Sequence, residues 1–187
     1  MKSKMISSFA AAALALAMAA TSAHALSVSP TGDWSTNQTS TLTTAEVIAL
    51  TGIAGLVEVY KQNVGGSESG SFAGSYTTTF SNTPTDPAEF TVAYDGGSFI
   101  SCGSCILVVK DGNQVPSQYL FNLSAGARSW NGTDSIFGTA FWPNQGAISH
   151  VTIYQVGGTS VPEPTSLLLL GAGLAGMWIW RRQSGKI

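Results

Sequence analysis

The chain predicts an all-β exported domain, an antiparallel β-sandwich of jelly-roll-like form, followed by a single C-terminal transmembrane helix. Three observations predict it. Seven or eight short stretches of strand character recur about every ten residues, parted by Gly, Pro and Asn turns. An uncharged apolar run stands near each end, one after Lys2 and Lys4 and one before Arg181 and Arg182. No internal repeat of propeller or solenoid length is present.

In chain order, the run from Met5 to Ala20 follows two lysines and leads to Ala23-His24-Ala25. Ala23 and Ala25 are small residues at the two positions a signal peptidase inspects, so residues 1–25 read as a signal peptide cut before Leu26. Such a peptide implies the Sec translocon and signal peptidase as partners. Residues 26–160 then form one domain. It carries Lys61, Lys110 and Arg128 against nine carboxylates, a net charge near −6. That balance excludes a basic nucleic-acid-binding face.

Leu26 to Thr41 has no period and reads as loop, with Trp34 its large anchor. Thr43 to Leu50, stopped by Gly52, predicts the domain's one short helix, capped by a hydroxyl. Leu56 to Gln62 is a strand, broken by the Gly-rich stretch 65–70. Phe72, Gly74, Tyr76, Thr78 and Phe80 fall on one face of a period-two strand. Pro84-Thr85-Asp86-Pro87 turns the chain into a strand from Glu89 to Tyr94. Ile106 to Lys110 is a more deeply buried strand, closed by Asp111-Gly112-Asn113. Tyr119, Phe121 and Leu123 alternate with Gln118, Leu120 and Asn122. Segments from Ser135 to Trp142 and Ala147 to Val156 complete the set, parted by residues 143–146.

Cys102 and Cys105 are the two cysteines, and export favours their oxidation. Residues three apart in a straight strand sit about 10 Å apart. A disulfide needs Cα atoms within roughly 7 Å, so Gly103-Ser104 must turn or bulge. The rival readings are a redox dithiol and half of a zinc site. The first wants a helix after its first cysteine, where Ile106 to Val109 is a β run; the second wants two further ligands.

Catalysis finds little support. No Gly-x-Ser-x-Gly elbow, phosphate loop or HExxH is present. His150 lies in an alternating strand with Ile148, Thr152 and Tyr154 on its face and reads as a strand histidine. Glu58, Glu89, Asp95 and Asp134 are the acids available to a glycosidase, but spacing pairs none of them. Asp95-Gly96-Gly97 and Asp111-Gly112-Asn113 read as hairpin turns before calcium loops. The Asn-x-Ser/Thr triplets at Asn37, Asn122 and Asn131 are short, common patterns and carry little weight for glycosylation. No cofactor is expected. Trp34, Trp130 and Trp142 are candidates for stacking on sugar rings, against the competing reading of core or turn anchors.

The last stretch begins Val161-Pro162-Glu163-Pro164, continues as an uncharged run from Thr165 to Trp180, and ends in the basic tail 181–187. As a helix the run would cover about 24 Å against a hydrocarbon core of about 30 Å, a short span. Pro162 and Pro164 keep a helix from extending upstream. This order of parts resembles the PEP-CTERM sorting signal of exported proteins in Gram-negative bacteria, with Pro162, Glu163 and Pro164 matching its core tripeptide. The resemblance covers only the stretch from Val161 to the C-terminus. It implies recognition by an exosortase, a membrane-embedded cysteine transpeptidase or protease. It implies an inner-membrane precursor with a single span, then delivery to the cell surface or extracellular matrix beside exopolysaccharide and biofilm systems. Trp130 to Thr133 and Phe141 to Val151 look like the segment preceding the tail in other such exoproteins. Two functions stay open: a non-catalytic structural or binding protein of the surface or matrix, and a secreted polysaccharide-acting enzyme with an unidentified carboxylate pair.

Overall fold

The computed structural model describes residues 25–81, 88–111, 114–126, 128–142, 147–157 and 160–161. The expected turns at 84–87, 112–113 and 143–146 lie outside these residues. So do Ala23 and the rest of the signal peptide before Ala25, Pro162, Glu163, Pro164, the apolar run 165–180, and Arg181 and Arg182. Among the described residues no helix is long and apolar enough to cross a membrane.

The described residues are mostly β, with one short helix. A four-stranded sheet is made of β1 (Leu26–Val28), β10 (Ile136–Gly138), β6 (Glu89–Tyr94) and β5 (Tyr76–Ser81), in that order. A six-stranded sheet runs β2 (Trp34–Thr36), β9 (Gln118–Asn122), β8 (Cys105–Asp111), β11 (Ile148–Val156), β3 (Leu56–Asn63) and β4 (Glu68–Ser69). A third ladder joins β7 (Phe99–Ile100) to β12 (Ser160–Val161). Every pairing is antiparallel except that of β1 with β10, which is parallel. The expectation of a purely antiparallel fold is corrected there.

One apolar core lies between the two larger sheets. Tyr76, Phe90, Val92 and Ile136 from the four-stranded sheet meet Tyr60, Leu107, Val109, Phe121, Val151 and Ile153 from the six-stranded sheet. The other face of the six-stranded sheet is also covered. Leu56, Ile106, Val108, Leu120 and Tyr154 pack there against Leu42 and Val47. Val47 sits on α1 (Thr44–Thr51), the helix expected from the sequence. Thr43 caps it: its Oγ1 accepts from the Glu46 peptide N–H, and Glu46 Oε2 accepts from the Thr43 N–H at 2.7 Å. Gly52 closes it at φ 72°, its N–H reaching Ile48 O. With a layer on each side, every residue of β8 is buried, which explains why Ile106 to Val109 reads as a continuous apolar run.

Three sequence expectations are corrected. The stretch 26–41 is not all loop: β1 and β2 add edge strands whose partners lie far along the chain. The alternation expected from Phe72 begins only at Tyr76, because Gly74 turns the chain at φ 82°. The strand expected over 135–142 stops at Gly138, and Ala140 and Trp142 both have positive φ, where a ladder cannot continue.

Cys102 and Cys105 are joined, with Cα atoms 5.4 Å apart. The bond spans the bend at Gly103-Ser104, whose Gly103 N–H reaches Ser101 O at 3.0 Å. A loop this small gains roughly 2 kcal/mol or less from chain entropy. The double variant Cys102→Ser, Cys105→Ser is therefore expected to fold with a β spectrum and a melting temperature lowered by no more than about 10 °C, checked by circular dichroism. A loss of cooperative melting would show the bond to be a main support.

Candidate functional site

The feature that bears most directly on the tail is the point where the chain leaves the domain. β11 ends at Val156, whose N–H donates to Ser104 O at 3.0 Å, and the Gly157 N–H reaches Gly55 O at 3.3 Å. Ser160 and Val161 then pair with Ile100 and Phe99 as β12 on β7. Pro162 follows immediately.

The seat of β7 is built from the core outward. The Tyr76 ring is buried, and its hydroxyl accepts from the Ile100 N–H at 2.8 Å and donates to Gly132 O at 2.7 Å. Burial pushes the Tyr76 phenol well above its ordinary pKa. Gly132, at φ 89°, lies so close that a Cβ would collide with Ile100 O and the Phe99 ring. Beyond Ile100, Ser101 O accepts from Gln155 Nε2 at 2.8 Å, and Ser124 Oγ accepts from the Cys105 N–H at 2.8 Å. Asn131 organises the loop holding Gly132: its Oδ1 accepts from the peptide N–H groups of Thr133 and Asp134 at 2.9 and 2.8 Å. The segment 130–133 and the cysteine bend thus converge on the strand that receives the chain before the motif. Sequence reading treated these as separate features. The signal that could have joined them is Tyr76, an aromatic in a threonine strand whose hydroxyl needs partners once buried.

The tryptophans are placed differently from the sugar-stacking expectation. Trp130 is 3% exposed and donates from Nε1 to Asp134 O at 2.7 Å; Trp142 is 8% exposed and donates to Pro116 O at 2.9 Å. Both pack in the core, Trp130 beside Tyr76 and Trp142 beside Tyr119. Neither offers a ring face to a sugar, which corrects that candidacy. Trp34 is half-buried beside Leu42 and Val47.

Of the four acids named, Glu89 opens β6 and Asp95 follows it, Glu58 is on β3 and Asp134 precedes β10. Glu89 and Asp95 lie six residues apart along β6 and just beyond it, about 20 Å at 3.3 Å per residue. That exceeds the separation of either glycosidase geometry. Asp95 accepts from Thr77 Oγ1 at 2.5 Å, and Glu58 is exposed on β3 in the other sheet. A cleft of about 610 Å³ is lined by Leu26, Ser27, Asp33 and Arg128 among others. Its carboxylate is already engaged: Asp33 Oδ2 accepts from Arg128 and from the Asn122 N–H at 2.7 Å. Although partial burial opposes it, these partners hold the Asp33 carboxyl below its ordinary value. Leu26 opens β1 directly, its N–H reaching Ser135 O at 2.8 Å, so the expected cut after Ala25 falls at the first residue of the fold.

His150 is a strand histidine that shares its face with Thr152 and Tyr154 as expected, but not with Ile148. A bulge between Ile148 and His150 sends Ile148 into the core between the sheets. His150 lies instead in a row across the helix-covered face of the six-stranded sheet: Asn63, His150, Lys110, Gln118 and Thr36 are successive cross-strand partners. His150, Lys110 and Gln118 are all buried. Lys110 Nζ donates to Asp111 O at 2.7 Å, and Gln118 Nε2 donates to the carbonyls of Gln38 and Ser40. Burial, with Lys61 and Lys110 nearby, pushes the His150 pKa down to about 3. This imidazole is neutral and enclosed, the opposite of a poised general base.

No curated protein and no solved structure matches the chain. Residues 160–183 match the family model described as the PEP-CTERM protein-sorting motif, so the match begins on β12 itself. The chain therefore carries a PEP-CTERM sorting motif at residues 160–183, which implies export, processing by an exosortase and sorting to the cell surface.

Proposed function

We propose that this protein is a non-catalytic exported module whose domain acts by structure or binding, and whose tail is an address. In this reading the Sec translocon delivers the chain and signal peptidase removes residues 1–25. The run 165–180 then holds the precursor in the inner membrane of a Gram-negative bacterium, with Arg181 and Arg182 on the cytoplasmic side. An exosortase acts on Val161-Pro162-Glu163-Pro164, and the domain passes to the cell surface or a biofilm matrix beside exopolysaccharide. The domain itself is a jelly-roll-like sandwich, a reading supported by two sheets that share one core.

The match at 160–183 carries this proposal, together with its start on β12, the last described strand. Replacing Pro162, Glu163 and Pro164 by alanines tests it. The altered chain is expected to accumulate at precursor size in the inner membrane, with surface and released protein reduced at least tenfold by fractionation and immunoblotting. Normal size and amount at the surface would refute the sorting role.

A further inference from the structure

The outer edges of the two larger sheets are β1 and β5 in one, β2 and β4 in the other. Sheets blunt such edges with short strands, lysine, proline or bulges, because the unpaired N–H and C=O groups there receive a further strand. β1 and β2 are three residues long and β4 is two. β5 is six, with no charged residue and no proline, and its pairing with β6 runs without a register shift. It is the edge on which none of these protections is built.

The backbone groups that β5 presents follow from its phase. The Asp95 N–H donates to Ser75 O at 3.0 Å, which places Ser75 among the residues bonded toward β6. By alternation Thr77, Thr79 and Ser81 also bond toward β6, and the N–H and C=O groups of Tyr76, Thr78 and Phe80 point away from it. At Tyr76 the outer side is taken by a bridge to Ala73. Thr78 and Phe80 stay open among the described residues, on either side of Thr79, whose side chain is exposed. The Thr78 hydroxyl lies 2.7 Å from that of Tyr60 in the facing sheet, which fixes the edge in place.

An open, fixed, extended edge selects an extended peptide. We propose that β5 pairs antiparallel with β5 of a second copy about a two-fold axis at Thr79, joining the two four-stranded sheets into one. The register follows from the open groups: Thr78 of each copy exchanges N–H···O bonds with Phe80 of the other, and Thr79 faces Thr79. Centring the pair on Thr78 would instead set Phe80 against Tyr76, whose outer side Ala73 holds. About Thr79, Thr77 faces Ser81 of the other copy, so hydroxyl side chains meet hydroxyl side chains along the exposed face. Charge supports the same occupant. The domain carries a net charge near −6, so two copies repel where their carboxylates approach. The strand itself brings none, and the carboxylates beside it are turned to their own copy: Asp95 to Thr77, Glu89 to Ser81 and Glu68 to the Gly74 N–H. Asp95 of one copy and Glu89 of the other stand three strand spacings apart, at least about 14 Å, beyond a screening length of about 8 Å.

One strand pair buries less surface than a permanent interface, so the association is weak, with a midpoint between about 10 μM and 1 mM. Sedimentation of the full-length chain in detergent is expected to show protein mass rising from one copy toward two across that range. Hydrogen exchange at the Thr78 and Phe80 amides is expected to slow at least about threefold over the same rise in concentration. Exchange already slow at the lowest concentration would mean that another segment of the same chain covers the edge, and would overturn the proposal. Thr79→Cys is expected to link two copies, because residues facing each other at a non-hydrogen-bonded site have Cα atoms about 4.5 Å apart, within disulfide reach. Ser27→Cys, exposed on the opposite edge of the same sheet, is the control and is expected to link more slowly. Thr79→Lys sets like charges face to face and is expected to weaken association at least about threefold with an unchanged circular dichroism spectrum. Thr79→Glu serves should that variant fail to fold, and is expected to act in the same direction. A mass that stays at one copy throughout overturns the proposal. So do dimers that the charged variant leaves intact and that Thr79→Cys links no faster than Ser27→Cys, since the contact would then lie on another surface, the apolar tail included.

Discussion

Gly132→Ala is expected to destabilise the domain by at least about 3 kcal/mol, seen as a lowered urea midpoint with an unchanged slope. Two costs combine. The φ of 89° is a conformation that an L side chain adopts only under strain, of order 1–3 kcal/mol. The added Cβ would also meet Ile100 O, a backbone atom that cannot swing aside. Ile100 is fully buried and tied to Tyr76, so any retreat pulls its N–H from the Tyr76 hydroxyl. A buried donor left without its acceptor costs a further amount of about 1–3 kcal/mol. Domains of this size hold about 5–15 kcal/mol in all, so the variant approaches the unfolding limit. Gly103→Ala is the control. A Cβ there would meet nothing within 4 Å, and its effect is expected to stay within about 0.5 kcal/mol. Equal midpoints for Gly132→Ala and wild type would mean that the loop holding residue 132 is not seated on Ile100 as described.

What was legible in the sequence follows from what its patterns can encode. The strands at 56–63, 89–94, 105–111, 118–122 and 148–156 were readable because β-branched and aromatic residues recur there between turn residues. The helix was readable because Thr43 and Glu46 stand three apart before an apolar stretch and Gly52 ends it. β1 and β2 were not readable. They are three residues long, and their partners, Ile136 to Gly138 and Gln118 to Leu120, lie more than 80 positions away, where no local pattern reaches. Ser135 to Trp142 misled in the other direction: its composition favours a strand, but the backbone turns at Ala140 and Trp142.

The site was half legible for a similar reason. The tail order at 161–187 is linear, so sequence could read it. The seat that receives Ser160 and Val161 draws on Tyr76, Ile100, Gly132 and Gln155, which only the fold brings together. The buried polar row was missed because alternation assigns His150, Lys110 and Gln118 to an outward face. That face is outward only if nothing covers it. The unbroken apolar run from Ile106 to Val109 already said that this sheet is covered on both sides, and applying that to its neighbours would have placed the three polar residues inside.

That burial makes stability depend on pH, and the domain is expected to lose about 2 kcal/mol between pH 7 and pH 5. The His150 pKa is depressed by burial first and then by Lys61 on β3 and Lys110 on β8, from 6.5 to about 3. Asp111, next to Lys110, counters part of the charge on that lysine. In the unfolded chain the imidazole takes a proton as pH falls through 6.5; in the folded chain it does so only near 3. Between those values the unfolded state binds more protons, so stability is fully present above about 6.5 and declines as pH falls. One pKa unit corresponds to about 1.36 kcal/mol, and pH 5 lies about 1.5 units below the unfolded value. The shifts of Asp33 and Glu46 are also downward, but they act from carboxylate values near 4 and add their loss at lower pH. Urea midpoints at pH 7 and pH 5 for the wild type and for His150→Gln isolate the imidazole. Whatever the variant costs at pH 7, it has no group to protonate in this window. Its stabilities at the two pH values are therefore expected to agree within about 0.5 kcal/mol. A wild type equally stable at both values, or a variant that keeps the full pH dependence, would place the imidazole in contact with solvent and undo the covered row.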